Sequence, residues 1–178
     1  MRSFIALDLP QEVKDYLFEL QRKNKTKDAT ITWVAKKNLH LTLKFLGDID
    51  QEKAEHIKER LQRIKVKKIS ARLNNIGSFS HDNTSVLWVG LEPEEDIIKL
   101  ARNIDEETLD LIAREQSFKA HLTLGRAKGI KNKAAFSSFL KKITLEKITF
   151  TLDTFSFYKS TLTSQGPTHH ILKTYTLH

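Results

Sequence analysis

The sequence predicts an α+β fold, and three features of its 178 residues point there. Short runs of alternating apolar residues are interleaved with stretches of helical periodicity. The strand-like runs near 31–46, 69–91 and 148–177 are joined by short connections, which favour antiparallel pairing over the crossovers of a doubly wound sheet. The tetrapeptide His-Leu-Thr-Leu occurs at His40–Leu43 and again at His121–Leu124, about half a chain length apart. Each copy falls on a predicted strand, which suggests an internal duplication with one copy in each of two lobes.

In order along the chain, RSFIALDL (Arg2–Leu9) reads as a strand, and Pro10 suits the first turn of a helix running to about Lys23. Val13, Leu17 and Leu20 would line the buried stripe of that helix. Strands follow at Ile31–Val34 and Leu39–Leu46, the second closed by Gly47-Asp48. Gln51–Ile64 is a polar amphipathic helix with Ala54, Ile57, Leu61 and Ile64 on one side. Strands near Ile69–Phe79 and Ser85–Leu91 are joined by the turn-rich SHDNT, and a helix runs from Pro93 to about Ile112. The pattern then recurs, with a strand near Phe118–Arg126 and a short helix near Lys133–Lys141. Strands near Ile148–Lys159 and His170–Leu177 close the chain. No Gly-, Ser- or Pro-rich linker divides it, so residues 1–178 are expected to form a single bilobal domain.

Hydrophobic residues at 39% and charged residues at 29% describe an ordinary globular protein. No apolar run approaches the ~20 residues of a bilayer span, and the apolar stretch Phe4–Leu7 is too short for a signal-peptide core. With no cysteine, disulfides and thiolate metal sites are excluded, and a cytoplasmic location is the expectation. The net charge of +8 favours an anionic partner. The basic clusters Arg22–Lys27, Ala35–Lys37, Lys65–Lys68 and Lys131–Lys133 are separated by acidic stretches such as Glu92–Asp96. That patchiness suits phosphate attraction more than one continuous nucleic-acid groove.

Side chains alternate across a strand, so His40 and Thr42 point one way and Leu41 and Leu43 the other; His121 and Thr123 are set likewise against Leu122 and Leu124. Two such strands facing each other across a cleft would bring two imidazoles and two hydroxyls together. One neutral His could take a proton from water, one protonated His could give a proton to a leaving oxygen, and the Thr hydroxyls could hold phosphate oxygens. A lone His-x-Thr is more often surface or satisfied core. Two copies on corresponding strands of a basic chain reverse that preference. No Walker loop, His-Glu-x-x-His, nucleophile elbow or nucleotidyl-transferase motif competes. His56, His81, His169 and His170 are expected to be structural or solvated, and no metal or other cofactor is expected. Lys44 shares the parity of His40 and Thr42 and is expected to line the cleft entrance. Position 126 falls on the opposite face by strict alternation, so a role for Arg126 requires a bulge, which Gly125 could permit. Trp33, Phe45 and Trp88 could stack a base or pack in the core.

These residues, with RSFIALDLP, HLTLKFLGD, VLWVGL, FKAHLTLGR and KSTLTSQGP, resemble the 2H phosphoesterase superfamily over nearly the whole chain. Within it the resemblance is to the RNA 2′,3′-cyclic phosphodiesterases, once called 2′-5′ RNA ligases. It implies a fold of two pseudo-twofold-related lobes, each an antiparallel sheet backed by helices, with the histidines in the cleft between. It also implies His40 as proton donor, His121 as acceptor, and Thr42 and Thr123 as phosphate ligands, and it matches Arg126 to the family's Arg after the second motif. Two departures are Ala120, where many relatives have Pro, and His169, where many have Tyr. The expected activity is hydrolysis of RNA 2′,3′-cyclic phosphate ends to 2′-phosphomonoesters by a monomer that needs no membrane. The alternatives are an RNA-end-binding module without catalysis, or ligation by the reverse reaction.

Overall fold

The computed structural model describes residues 1–81 and 84–178. The strands are β1 (Arg2–Leu7), β2 (Thr30–Trp33), β3 (Leu41–Asp48), β4 (Ile69–His81), β5 (Thr84–Glu92), β6 (His121–Lys128), β7 (Thr149–Leu152), β8 (Thr154–Thr163) and β9 (Gly166–Thr176). The helices are α1 (Gln11–Lys23), α2 (Gln51–Leu61), α3 (Glu94–Glu107) and α4 (Lys133–Lys142). Pro10 stands at the N-cap of α1, where its missing N–H costs nothing. Asp50 and Asn132 cap α2 and α4 by accepting from the backbone N–H of Lys53 and Ala135. The expected turn at SHDNT includes Asp82 and Asn83, which lie outside the described residues; His81, expected within it, closes β4.

The α+β class is as expected: the described residues form four α-helices and two antiparallel sheets. One sheet runs β3-β1-β8-β9 and the other β2-β6-β5-β4-β7. Two connections differ from the reading of the sequence. The strands β2 and β3 do not pair with each other; β2 pairs with β6 and β3 with β1. The run expected as one strand from Ile148 to Lys159 is divided at Asp153, so that β7 pairs with β4 and β8 with β1. Short links imply antiparallel pairing only when both strands stay in one sheet. These two links step between the sheets instead.

The strand orders β3-β1-β8 and β6-β5-β4 correspond, in keeping with the pseudo-twofold relation that the family resemblance implies. Each sheet takes strands from both halves of the chain, because β4 joins the second sheet and β8 the first. The lobes are therefore interlocked rather than sequential. Helices cover the outer faces: α3 packs on β3 and against α2, and α4 packs on β4. Gln21 of α1 reaches β6, its Nε2 donating to the Leu124 carbonyl at 3.0 Å. The leucines of both repeats, Leu41, Leu43, Leu122 and Leu124, are all buried. At roughly 1.5–3 kcal/mol each, their burial fixes which face of each strand turns inward and hence where His40 and His121 point.

Candidate active site

Both repeats carry a β-bulge at the same place. Along β1 and β3, Ala6 pairs with Thr42 and Ile5 with Lys44, so Leu43 is the extra residue. Along β5 and β6, Trp88 pairs with Thr123 and Leu87 with Gly125, so Leu124 is the extra residue. A bulge inverts the parity of all that follows. In β6 it returns Arg126 to the face of His121 and Thr123, as the use of Arg126 required, and the side chain is exposed. Gly125 permits the close approach, since a Cβ there would lie 2.9 Å from the Thr32 carbonyl oxygen. In β3 the same bulge has the opposite consequence. Lys44 turns away from His40 and Thr42 into the interior, where its Nζ donates to Asp105 Oδ1 at 2.6 Å. Lys44 lines the cavity, as expected, but its charge is committed to Asp105 and its side chain is buried, so it offers no free cation at the cleft entrance. Phe45 takes the cleft face instead and is 65% exposed.

The two histidines are held by one device used twice. Nδ1 of His40 lies 2.6 Å from the carbonyl of Asn38, and Nδ1 of His121 lies 2.7 Å from the carbonyl of Lys119, in each case two residues earlier. A carbonyl only accepts, so Nδ1 carries the proton in both rings and Nε2 is the nitrogen left for chemistry. His40 Nε2 is 3.0 Å from Thr42 Oγ1, which donates to it while the ring is neutral. Asn38 is itself fixed, its Nδ2 donating to the Pro167 carbonyl at 2.8 Å.

His40, Thr42, His121 and Thr123 line one cavity of about 210 Å3, with Asn38, Phe45, Glu115, Phe118 and Lys119 also in its wall. Larger grooves exist, but the 640 Å3 groove between Ser70 and Glu95 holds no histidine. Chemistry rather than size selects the site. Arg126 is not part of the cavity wall; it stands on the same sheet face farther along β6.

The surroundings of the two imidazoles differ. His40 stacks on Phe4 at 4.8 Å, and Phe4 stacks on Tyr158 at 5.0 Å. His169, expected to be structural or solvated, packs edge-on against both Phe4 and His40, at 4.9 and 5.4 Å. Burial pushes the His40 pKa down to about 4; the Asn38 carbonyl opposes this, and His169 and Lys14 add to it. The Tyr158 pKa is raised by burial and by the Asp8 carboxylate that accepts its hydroxyl. His121 is the more open of the two and touches Phe79 edge-on at 5.2 Å. Lys119 Nζ stands 5.6 Å above the Phe79 ring and lines the cavity. Sequence reasoning did not assign Lys119 or Asn38 a role. The signal was present: each lies two residues before a motif histidine, the same spacing in both copies of the repeat.

Among the described residues, no group of three or more His, Cys, Asp or Glu side chains is arranged to hold a metal ion. No described helix is long and apolar enough to cross a membrane.

A family model described as LigT-like phosphoesterase matches this chain twice, over residues 7–88 and 89–169. The RNA 2′,3′-cyclic phosphodiesterase of Methanocaldococcus jannaschii is 34% identical, the match covering 97% of this chain and 99% of that protein. The enzyme of the same name from Thermotoga maritima is 33% identical, over 97% of this chain and 93% of its own. A crystal structure of a Thermus thermophilus protein superposes with a TM-score of 0.77 at 28% identity, covering 99% of this chain and 98% of that one.

Proposed function

The chain belongs to the LigT-like phosphoesterase family, and we propose that it hydrolyses the 2′,3′-cyclic phosphate at the end of an RNA, leaving a 2′-phosphomonoester. His121 Nε2 takes a proton from water as the water oxygen attacks phosphorus. The bond from phosphorus to O3′ breaks, and His40 Nε2 gives its proton to that oxygen. Thr42 and Thr123 hold phosphate oxygens, Lys119 in the cavity wall supplies positive charge beside them, and Arg126, farther along β6 on the same face, adds to the positive field. The sense of the reaction, with O3′ as the leaving atom, follows the family resemblance. The activity for which the relatives from M. jannaschii and T. maritima are named supports the substrate class.

The observation that carries this reading is the matched pair of carbonyl-anchored imidazoles in one cavity. Two Nε2 atoms presented from opposite sheets suit in-line displacement, which needs acid and base on opposite sides of phosphorus. With its pKa near 4, His40 is neutral at pH 7 while the cleft is empty. Its donor role therefore depends on the substrate. A phosphodiester anion within ~4–6 Å favours the imidazolium and raises that pKa on binding. Acid and base are thus assigned in the complex, not in the free protein.

The test is a hydrolysis assay on a short RNA ending in a 2′,3′-cyclic phosphate, with the 3′-phosphate RNA as control. Turnover of the cyclic end, lost in His40→Ala and His121→Ala while RNA binding persists, is expected. RNA binding without turnover in the wild type would instead identify a binding module.

A further inference from the structure

The catalytic cavity has room for a cyclic phosphate and its ribose, at about 210 Å3, but not for a chain. The rest of an RNA must lie elsewhere on the surface. From the groove beside the cavity we infer that this protein has a second RNA-contact site, which takes nucleotides preceding the cyclic end as a single strand. The inference rests on reading the cleft as an RNA-end site.

The groove, about 570 Å3, lies between the C-terminal half of α1 and the edge strand β2. Its walls combine two aromatic side chains, Phe18 and Trp33, with two cations, Arg22 and Lys25, and no carboxylate. Phe18 is 36% exposed and Trp33 is half-buried, so both are accessible. Aromatic faces interleaved with cations are what single-stranded nucleic acid needs, because every base has a face to stack and every linkage a charge to neutralise. The partner of Arg22, Glu19 at 3.5 Å, is a surface carboxylate whose pairing is weak and easily displaced by phosphate.

Position ties the groove to the chemistry. Val34 lines both the groove and the catalytic cavity, so the two are separated by one strip of chain. That strip is held rigidly: Val34 N donates to the Leu124 carbonyl at 2.8 Å, and Gln21 Nε2 donates to the carbonyls of both Val34 and Leu124 at 3.0 Å. Leu124 is the bulge residue beside Thr123. A strand leaving the cavity over Val34 enters the groove, whereas a mononucleotide reaches only the cavity. The basic cluster Arg22–Lys27, which the acid–base mechanism leaves without a role, continues the same edge.

Two substrates and one binding measurement test this. Steady-state kinetics compare a 2′,3′-cyclic mononucleotide with a cyclic-ended hexaribonucleotide. Fluorescence anisotropy measures binding of a labelled hexaribonucleotide with an ordinary 3′-hydroxyl end, which needs no turnover. The double variant Arg22→Glu/Lys25→Glu, at two exposed positions, should raise the hexamer's KM and its Kd at least tenfold and leave the mononucleotide's kcat/KM unchanged. Trp33→Ala should act in the same direction. If wild type hydrolyses neither substrate but the variants still weaken hexamer binding, the groove stands and the catalytic reading fails. If the variants bind and hydrolyse the hexamer like wild type, or lose both substrates equally, the groove does not hold RNA and the inference is overturned.

Discussion

Lys44 and Asp105 form a buried ion pair, with Nζ 2.6 Å from Oδ1 and side chains only 1% and 10% exposed. Asp105 also accepts from the backbone N–H of Glu115 at 3.0 Å, and Glu115 lines the catalytic cavity. Burial alone would raise the Asp105 pKa, but Lys44 and the Glu115 N–H outweigh it and hold it below its ordinary value. The pair fastens β3 to α3 and α3 to the cavity wall.

Lys44→Met should therefore act on stability. Asp105 would keep Arg114, 3.7 Å away and half-exposed, but lose its buried partner, a loss that approaches the cost of about 3–5 kcal/mol for breaking a buried pair. The double variant Lys44→Met/Asp105→Leu should recover much of that loss. Chemical denaturation gives both values, and assays at a temperature where each variant is folded should show KM little changed. A large KM effect in folded Lys44→Met would return Lys44 to the substrate site.

The parity of Lys44 shows where sequence reading reached its limit. Period-two alternation placed the motif leucines in the core and the motif histidines in the cleft, and it identified the bulge that Arg126 needs. It was carried unbroken through β3, where the same tetrapeptide bulges at Leu43. The repeat itself held the correction, since one local sequence built twice has reason to bulge twice. The partition of β2, β3, β7 and β8 between sheets was not legible, because a short link does not say whether the chain turns back or steps across. The neighbourhood of His40 was hidden for a different reason: Phe4, Tyr158 and His169 come from three strands that only the tertiary fold brings together.

The second prediction concerns the protonation of His40. Its ring should titrate near pH 4 in the free protein and upward of that when inorganic phosphate occupies the cleft, as followed by the imidazole signals in NMR. The depressed pKa also sets a sign for stability. The folded state resists a proton that the unfolded chain accepts at its ordinary value of 6.5. Stability is then full above that value and falls as pH drops toward 4, and His40→Gln should flatten this limb. Titration of free His40 near 6.5 would refute the burial argument.

For the pair, His40→Ala and His121→Ala should each lower turnover about a hundredfold or more, with the double variant scarcely slower, because the two transfers belong to one step. Thr42→Ala or Thr123→Ala should cost less, in line with about 1.5–3 kcal/mol for one hydrogen bond to a charged group. Near-normal turnover in either His variant removes that residue from the mechanism.

Both proton transfers are assigned to imidazoles and the phosphate charge to Thr, Lys and Arg side chains. Activity should therefore survive a chelator in excess. Complete loss in chelator, restored by Mg2+ or Mn2+, would show that a metal performs one of these tasks.

The most direct measurement follows the phosphorus atom itself. A cyclic-ended RNA incubated with the protein is observed by 31P NMR, and the product is then treated with a phosphatase specific for 3′-monophosphates. The strained cyclic signal should give way to a single monoester that resists the phosphatase, with no conversion in His40→Ala or His121→Ala. A persistent cyclic signal with wild-type protein, or a monoester released quantitatively by the phosphatase, contradicts the proposed hydrolysis or its direction.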